Sequence, residues 1–462
     1  MHINDGKTEF IENMASFYNH ICKNSLIKFD APIPGKKDVL SNLYDDIECN
    51  TYQPNLPREY IIYNKGNHVA RIVPTFELKD YCTYFYCTNK LQDYICDGAS
   101  RIPGTFGGWR IKSPIKQVEQ IEEEYLLDFS MYSPYATLSI EGWSKEWGEF
   151  SRMSLGTFER YKGQYGDDFS VAIFDIANFY DNIRINLLER FLRQSVPNTF
   201  SPEIDLLIYF LQYWNKPFDG YYPRTAGIPQ DEVGDCSRQL ANFYLKDFDK
   251  KLYTLTQKDN SQYLRYADDI TIFNKDKILV EHTIFESSKT LHKLGLNINA
   301  GKVRIMSSSE YSIYEAFDIL YKLQKYDKKV FNSGVKDFVT YKDRKYTFRY
   351  DRVIKRIITI LAKKGIQYLD ADLQDIILNE ILTTTVLSVF PTYKFKNIYN
   401  LMKQVGREKD FMNALDALIH ITSHNSFHYS LLKFYKSINR TDFDYDNLQS
   451  EIDSRKLRLG FY

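Results

Sequence analysis

The chain has 462 residues, and its 60 Lys and Arg balance its 60 Asp and Glu. This excludes a globally basic nucleic-acid binder, so any basic surface must come from local segregation of charge. No run approaches the roughly 18 apolar residues that a membrane span needs, and the opening "MHINDGKTEF" lacks the basic and apolar regions of a signal peptide. The six cysteines contain no CxxC pair, which argues against zinc and against a disulfide framework; a reduced, cytoplasmic protein is expected. The length allows two or three domains with a sizeable core. Most of the 37 Tyr and 31 Phe must belong to that core, although such rings also stack on bases.

In chain order, residues 1–50 are mixed, helical in places, and end in the turn-rich "TYQPNLPREY". "YIIYNKGNHVARIVP" reads as two strands with a turn at Lys65-Gly66-Asn67. "DYCTYFYCTNKLQDYI" has helical apolar spacing. An irregular glycine-rich stretch, "GTFGGWR", and an acidic helix around "QVEQIEEEYLLDF" follow. The middle section then reads as strand "SVAIFDI", helix "NLLERFLRQS", a long amphipathic helix "SRQLANFYLKDFDKKLYTL", a hairpin "YLRYADDITIF", helix "EHTIFESSKTLHKLG" and strand "KVRIM". That order is ferredoxin-like. Beyond about residue 340 the pattern is helical throughout, from "VIKRIITILAKKG" to "YSLLKFYKSI". Helix pairs of this kind suggest an α-solenoid-like domain, although no repeat of fixed period occurs.

The chemistry centres on the adjacent Asp268 and Asp269 of "YADD". Alone, Asp-Asp fits an ordinary surface turn. A third carboxylate, Asp175, closes the strand "SVAIFD", and in a ferredoxin-like sheet that strand lies beside the central hairpin. Carboxylates brought that close repel unless a cation sits between them. Magnesium suits carboxylate and phosphate oxygens, and a pair of such ions can stabilise both the attacking and the leaving oxygen of a phosphoryl transfer.

"FDIANFYDNI", "GIPQDEVGDCSRQLANFYL", "YADD" and "LGLNINAGKVRI" occur in the order of reverse transcriptase motifs A, B, C and D. Over roughly residues 60–305 the chain resembles that family. The resemblance implies an α+β right-hand polymerase fold: an N-terminal extension (1–60), fingers (60–160), a ferredoxin-like palm (160–310) and an all-α C-terminal thumb or solenoid-like domain (311–462). It implies an RNA-directed DNA polymerase, a nucleotidyltransferase acting on deoxynucleoside triphosphates, with two Mg²⁺ ions that Mn²⁺ can replace. Asp175, Asp268, Asp269 and the backbone carbonyl of Ile176 resemble its metal ligands. Tyr180 matches the ring that excludes a ribose 2′-hydroxyl. Gly227 and Gln230 lie in the loop that positions template and nucleotide, and Ser237, Ala241 and Asn242 in the helix after it. Lys302 resembles the lysine that protonates pyrophosphate, and Arg71 and Lys65 fall where the fingers meet the triphosphate. A core ring for Tyr180 and a surface lysine for Lys302 are the plainer readings.

Two features depart from the family pattern. Asp231 and Glu232 follow Gln230 where Gly or Ser is usual, which puts ordinary template handling in question. No primer-grip motif follows motif D; "SIYEAFDILYKL" reads as helix. A polymerase core followed directly by helices is similar to the abortive-infection and other defence-associated "unknown group" reverse transcriptases of bacteria. That likeness implies anti-phage defence, homo-oligomers, a noncoding RNA partner or template, and synthesis primed in some members by a tyrosine, for which Tyr462 is one of many candidates. A template-independent terminal transferase and a catalytically dead nucleic-acid scaffold are the alternatives. His420, His424 and His428 recur every fourth residue; a shared helix face would make them a metal site, but "HITSHNSFH" contains a helix-breaking Asn-Ser.

Overall fold

The computed structural model describes residues 3–27, 35–64, 69–97, 100–108, 143–215, 227–230, 235–325, 327–388 and 392–456. Lys65, the acidic stretch around residues 117–129, Asp231, Glu232 and Tyr462 lie outside them. The described strands are β1 (Glu59–Asn64), β2 (Ala70–Thr75), β3 (Thr105–Phe106), β4 (Ser170–Asp175), β5 (Gln262–Tyr266), β6 (Asp269–Asn274) and β7 (Arg304–Ser307). The described residues form two compact units, one within residues 3–58, 74–108 and 143–308, the other within residues 59–73 and 309–456.

In the first unit five strands form one sheet in the order β3-β5-β6-β4-β7. β4 pairs antiparallel with β6 and β7, β6 antiparallel with β5, and β5 parallel with the short β3. The four longer strands therefore stand in the ferredoxin-like order that the sequence pattern predicts. "VAIFD" on β4 and "ITIFN" on β6 are buried throughout. A continuous apolar run of this kind marks a strand covered on both faces, where alternation would mark one open face. The helix Lys277–Lys293 covers β4 and β6, and the helix Trp143–Tyr165 covers β3 and β5. The expected long helix over "SRQLANFYLKDFDKKLYTL" is two helices, Cys236–Tyr244 and Lys246–Lys258, broken at Leu245.

The N-terminal residues are part of this core and not an appendage to it. Helices Lys7–Asn24 and Lys36–Glu48 pack together, the first also on helix Leu78–Ile95. Phe17 stacks on Phe85 with ring centroids 3.7 Å apart, and Phe10 meets Tyr86 edge-on at 4.9 Å. Cys82 and Cys87 are buried on the same helix with free thiols, whose pKa values burial pushes up. No described helix is long and apolar enough to cross a membrane.

Among the described residues, the second unit is helical apart from the paired strands β1 and β2. Sequence order suggests that this hairpin belongs with the fingers; instead it packs on the helix Asn425–Ser437. The reason is hydrogen bonding. Asn425 donates from Nδ2 to the carbonyl of Tyr60 (2.9 Å) and accepts from the N–H of Ile62 (2.6 Å). Its amide thus continues the ladder along the edge of β1, and Lys456 pairs with Glu59 at 3.5 Å. "SIYEAFDILYKL" is helical as expected, in two pieces broken at Ala316 in the left-handed region (φ 53°). The three histidines do not share a face. His420 meets Glu451 at 2.8 Å, His424 stands just before the helix Asn425–Ser437 with no capping bond from its side chain, and His428 is buried with its ring nitrogens 3.1 and 2.7 Å from the carbonyls of His424 and Ile419. Burial lowers the His428 pKa, against the pull of those carbonyls.

Candidate active site

Three backbone segments bring the acidic residues together at one end of the sheet. Asp175 is the last residue of β4 and lies directly opposite Asp269, the first residue of β6. The neighbouring hydrogen bond runs from the Ile176 N–H to the Asp268 carbonyl (3.3 Å). This makes Asp175 and Asp269 a non-hydrogen-bonded pair, the kind whose side chains approach most closely. Asp268 is the second residue of the two-residue turn that joins β5 to β6. Like charges directly opposite on a sheet destabilise it, so the arrangement calls for a cation.

Lys302 is a cation that the chain itself brings to the cluster. The segment carrying it runs beside the end of β4, through bonds from the Asn299 N–H to the Asp175 carbonyl (2.9 Å) and from the Ala177 N–H to the Asn297 carbonyl (2.8 Å). Its ammonium donates to Asp175 Oδ2. Partial burial works against the Lys302 charge, but that hydrogen bond and the fields of Asp175, Asp269 and Asp268 raise its pKa above the usual lysine value.

The donor set fits a hard divalent cation. Asp175 is only 4% exposed, and its Oδ1 is buried with no hydrogen-bond partner, a costly state for a carboxylate oxygen. Asp268 is half-buried and Asp269 exposed, so the cluster opens toward solvent. Among the described residues no three His, Cys, Asp or Glu side chains close into a ready-made cage. An ion held here would complete its shell with water and phosphate oxygens, as Mg²⁺ does.

The loop expected to position the nucleotide also meets this end of β4. Tyr180 sits half-buried on the short helix Phe179–Asn182, its ring tilted on that of Phe179 at 5.6 Å. The Tyr180 carbonyl accepts the Ile228 N–H at 3.0 Å. Position 227 must be glycine for this docking, because a Cβ there would lie 2.0 Å from the Tyr180 oxygen. The Trp214 Nε1–H donates to the Gly227 carbonyl at 3.3 Å, and Gln230 is half-buried. Ser237, Ala241 and Asn242 are all buried on the helix Cys236–Tyr244, with Ser237 Oγ 2.6 Å from the hydroxyl of Tyr84. Arg71 is exposed on β2, a strand that belongs to the second unit through Val73.

Sequence reasoning missed the supports beneath the turn. Arg265 and Asp249 are fully buried and ion-paired at 2.6 Å, and the Tyr263 hydroxyl donates to Asp249 Oδ1 at 2.6 Å. Burial alone would lower the Arg265 pKa; the charge and hydrogen bonds of Asp249 and the neighbouring Tyr263 raise it. The glycine-rich stretch that looked irregular is a shelf under the turn. The Arg265 N–H donates to the Gly104 carbonyl (2.8 Å) and the Ala267 N–H to the Phe106 carbonyl (3.0 Å). Gly104, Gly107 and Gly108 all have positive φ, and a Cβ on Gly107 would lie 2.7 Å from the Ala267 nitrogen. Two signals were readable: a lone arginine flanked by leucine and tyrosines in "YLRY", and three glycines in five residues.

An acidic cluster at the end of paired antiparallel strands in a ferredoxin-like sheet, with a lysine on it and an open mouth, defines a nucleotidyl-transfer palm. The sequence profile described as "Reverse transcriptase (RNA-dependent DNA polymerase)" matches residues 116–369, more than half of the chain, and the chain belongs to that family. The match starts later than residue 60 and runs past residue 305, into the helical unit. No curated protein sequence matches the chain. Among solved structures, telomerase of Candida albicans in complex with a fragment of telomeric RNA is similar at 11% identity, over 87% of this chain and 70% of that one, with a TM-score of 0.35. Apo telomerase of Candida tropicalis is similar at 11% identity, over 98% and 76%, with a TM-score of 0.34. Likenesses this loose carry no inference about substrate.

Proposed function

We propose that the chain is a Mg²⁺-dependent DNA polymerase of bacterial anti-phage defence, with Asp175, Asp268, Asp269 and the Ile176 carbonyl holding two ions. The observation that carries the polymerase reading is the meeting of Asp175 with the Asp268–Asp269 turn and Lys302 at one open end of the sheet. When bound, the metal supplies charge neutralisation at the attacking and leaving oxygens. The chain's own residues do the rest. Lys302 keeps a proton on Nζ beside three carboxylates, ready to be given to the pyrophosphate leaving group. The Tyr180 ring, anchored through its backbone to Ile228, excludes a ribose 2′-hydroxyl, and Gly227 and Gln230 seat the nucleotide and template.

The Tyr180 role has a direct check. Tyr180→Ala is expected to lower the preference for dNTP over rNTP by roughly 10-fold to 100-fold, the range that pocket sterics provide. Steady-state incorporation of matched dNTP and rNTP pairs measures it, and an unchanged ratio would remove Tyr180 from the sugar gate.

The defence assignment is supported by the helical unit that follows the palm and by the likeness of that arrangement to defence-associated reverse transcriptases. With it come an RNA template or noncoding RNA partner, a solenoid-like arrangement of the helices, a homo-oligomer, cytoplasmic location and priming from a tyrosine. The experiment is to sequence the nucleic acid that co-purifies with the protein from phage-challenged cells. A faithful DNA copy of an RNA supports templated synthesis, whereas cells protected equally well by the Asp268→Asn variant would sink the defence role of catalysis. A second reading, template-independent addition, is favoured by Asp231 and Glu232 directly after Gln230, since acidic groups there repel a template phosphate. A homopolymeric or random tract in the same sequencing would select it.

A further inference from the structure

We propose that Arg265 is a positioning residue of the polymerase turn, setting the place of Asp268 by clamping the carbonyl of the residue before it. The inference rests on reading Asp268 as a metal ligand. Ala267, the first residue of the turn, has φ 51°, a left-handed conformation that a residue with a Cβ keeps only when its surroundings hold it. Two hydrogen bonds hold its two peptide groups. The Ala267 N–H donates to the Phe106 carbonyl at 3.0 Å. The Ala267 carbonyl, in the peptide that leads into Asp268, accepts from Arg265 Nη1 at 2.7 Å.

The rest of the guanidinium is tied to other elements. Nε and Nη2 donate to the two carboxylate oxygens of Asp249 at 2.7 and 2.6 Å. Nη2 also reaches Asn242 Oδ1 at 2.8 Å. One rigid planar fork therefore refers the turn to both helices that precede the hairpin, a task for which a single ammonium lacks the geometry. The shelf on the other side is fixed as well. The N–H groups of Gly107 and Gly108 both donate to Glu146 Oε2 at 2.7 Å, and Glu146 is 1% exposed. A turn braced on both faces keeps its carboxylate where a shift of about 1 Å would cost on the order of 100-fold in rate.

A buried ion pair is weak evidence of a stability role, because an apolar pair of similar volume often replaces it at no loss. This separates positioning from mere support. The double variant Arg265→Met/Asp249→Leu removes both charges together, and Arg265→Lys keeps the charge on Asp249 but loses the fork. Both are expected to fold, by circular dichroism and thermal melting, with kcat reduced by roughly 10-fold to 100-fold and KM for dNTP within about twofold of the parent. Mn²⁺ affinity, read by electron paramagnetic resonance without turnover, is expected to weaken by about tenfold or more in both. Folded variants with parental kcat and Mn²⁺ affinity overturn the proposal. Failure of both to fold assigns Arg265 to stability alone and overturns it equally. Asp268→Asn, measured in parallel, separates the two levels: if it keeps Mn²⁺ affinity and activity, the metal-ligand reading fails. If it loses both while the Arg265 variants keep them, only the positioning role fails.

Discussion

Asp268→Asn is expected to reduce nucleotide incorporation by on the order of 1,000-fold or more while leaving the thermal midpoint unchanged or slightly raised. The two effects have one cause. On the proposed reading, several kcal/mol of transition-state charge stabilisation would depend on a metal held by this cluster, and each factor of ten in rate corresponds to about 1.4 kcal/mol. The side chain is half-buried at an open mouth, so its amide costs the fold little. Removing one negative charge from beside Asp175 and Asp269 also relieves repulsion within the carboxylate cluster. A site that stores such repulsion gives up stability for activity. Primer extension with Mg²⁺ and dNTPs, together with a melting curve, tests both halves. Incorporation at the parental rate would remove Asp268 from the catalytic set, and a strongly lowered midpoint would mean that the residue is structural. Asp175→Asn should lose activity to a similar degree but behave differently in the melt, since it also takes the negative charge from the hydrogen bond that Lys302 donates.

Asp249→Ala is the substitution expected to hurt the fold most. It leaves the Arg265 guanidinium uncompensated in a site with no exposure, and it strips the Tyr263 hydroxyl of its acceptor. Breaking a buried pair from one side costs about 3–5 kcal/mol, a drop in melting temperature of roughly 6–20 °C for a unit of this size. Asp249→Asn retains an acceptor for Arg265 and Tyr263 and should lose much less. The melting temperatures of the two variants decide the matter; equal, small losses would show that Arg265 finds other compensation. The comparison also bears on the catalytic turn, because Arg265 cannot brace Ala267 unless Asp249 holds the guanidinium in place.

The order of elements in the palm was legible because local patterns carry it. The apolar run of β4, the hairpin around "YADD" and the helices between them are each stabilised chiefly by burying their own apolar residues, so composition and period suffice to find them. The carboxylates were legible for a chemical reason: two adjacent like charges inside an apolar hairpin demand a cation, and Asp175 closes the one strand that can lie beside them. The end of the helix after motif B was not legible. Nothing in "LANFYLKDFDKK" marks the break at Leu245, which is set by how the two pieces pack. The strands β1 and β2 were legible as strands, but their packing on the helix Asn425–Ser437 was not. The partner of β1, Asn425, lies more than 360 residues away, and a side-chain amide that continues a strand edge leaves no trace in the periodicity of either segment.

By itself, then, the sequence pointed to the chemistry: which acidic residues are proposed to act, at the ends of which strands they sit, and that the chain belongs with enzymes that transfer nucleotides. These follow from residue type and short-range spacing, where a charge among apolar neighbours must have a function or a partner. Only the tertiary structure decided which carboxylate faces Asp175, since strand register depends on pairing over 94 residues and puts Asp269 opposite it. Only it showed that a buried arginine, its aspartate and a shelf of glycines lie against the turn that carries Asp268. Those supports act through backbone carbonyls and amides, groups that every residue carries and that sequence therefore cannot single out.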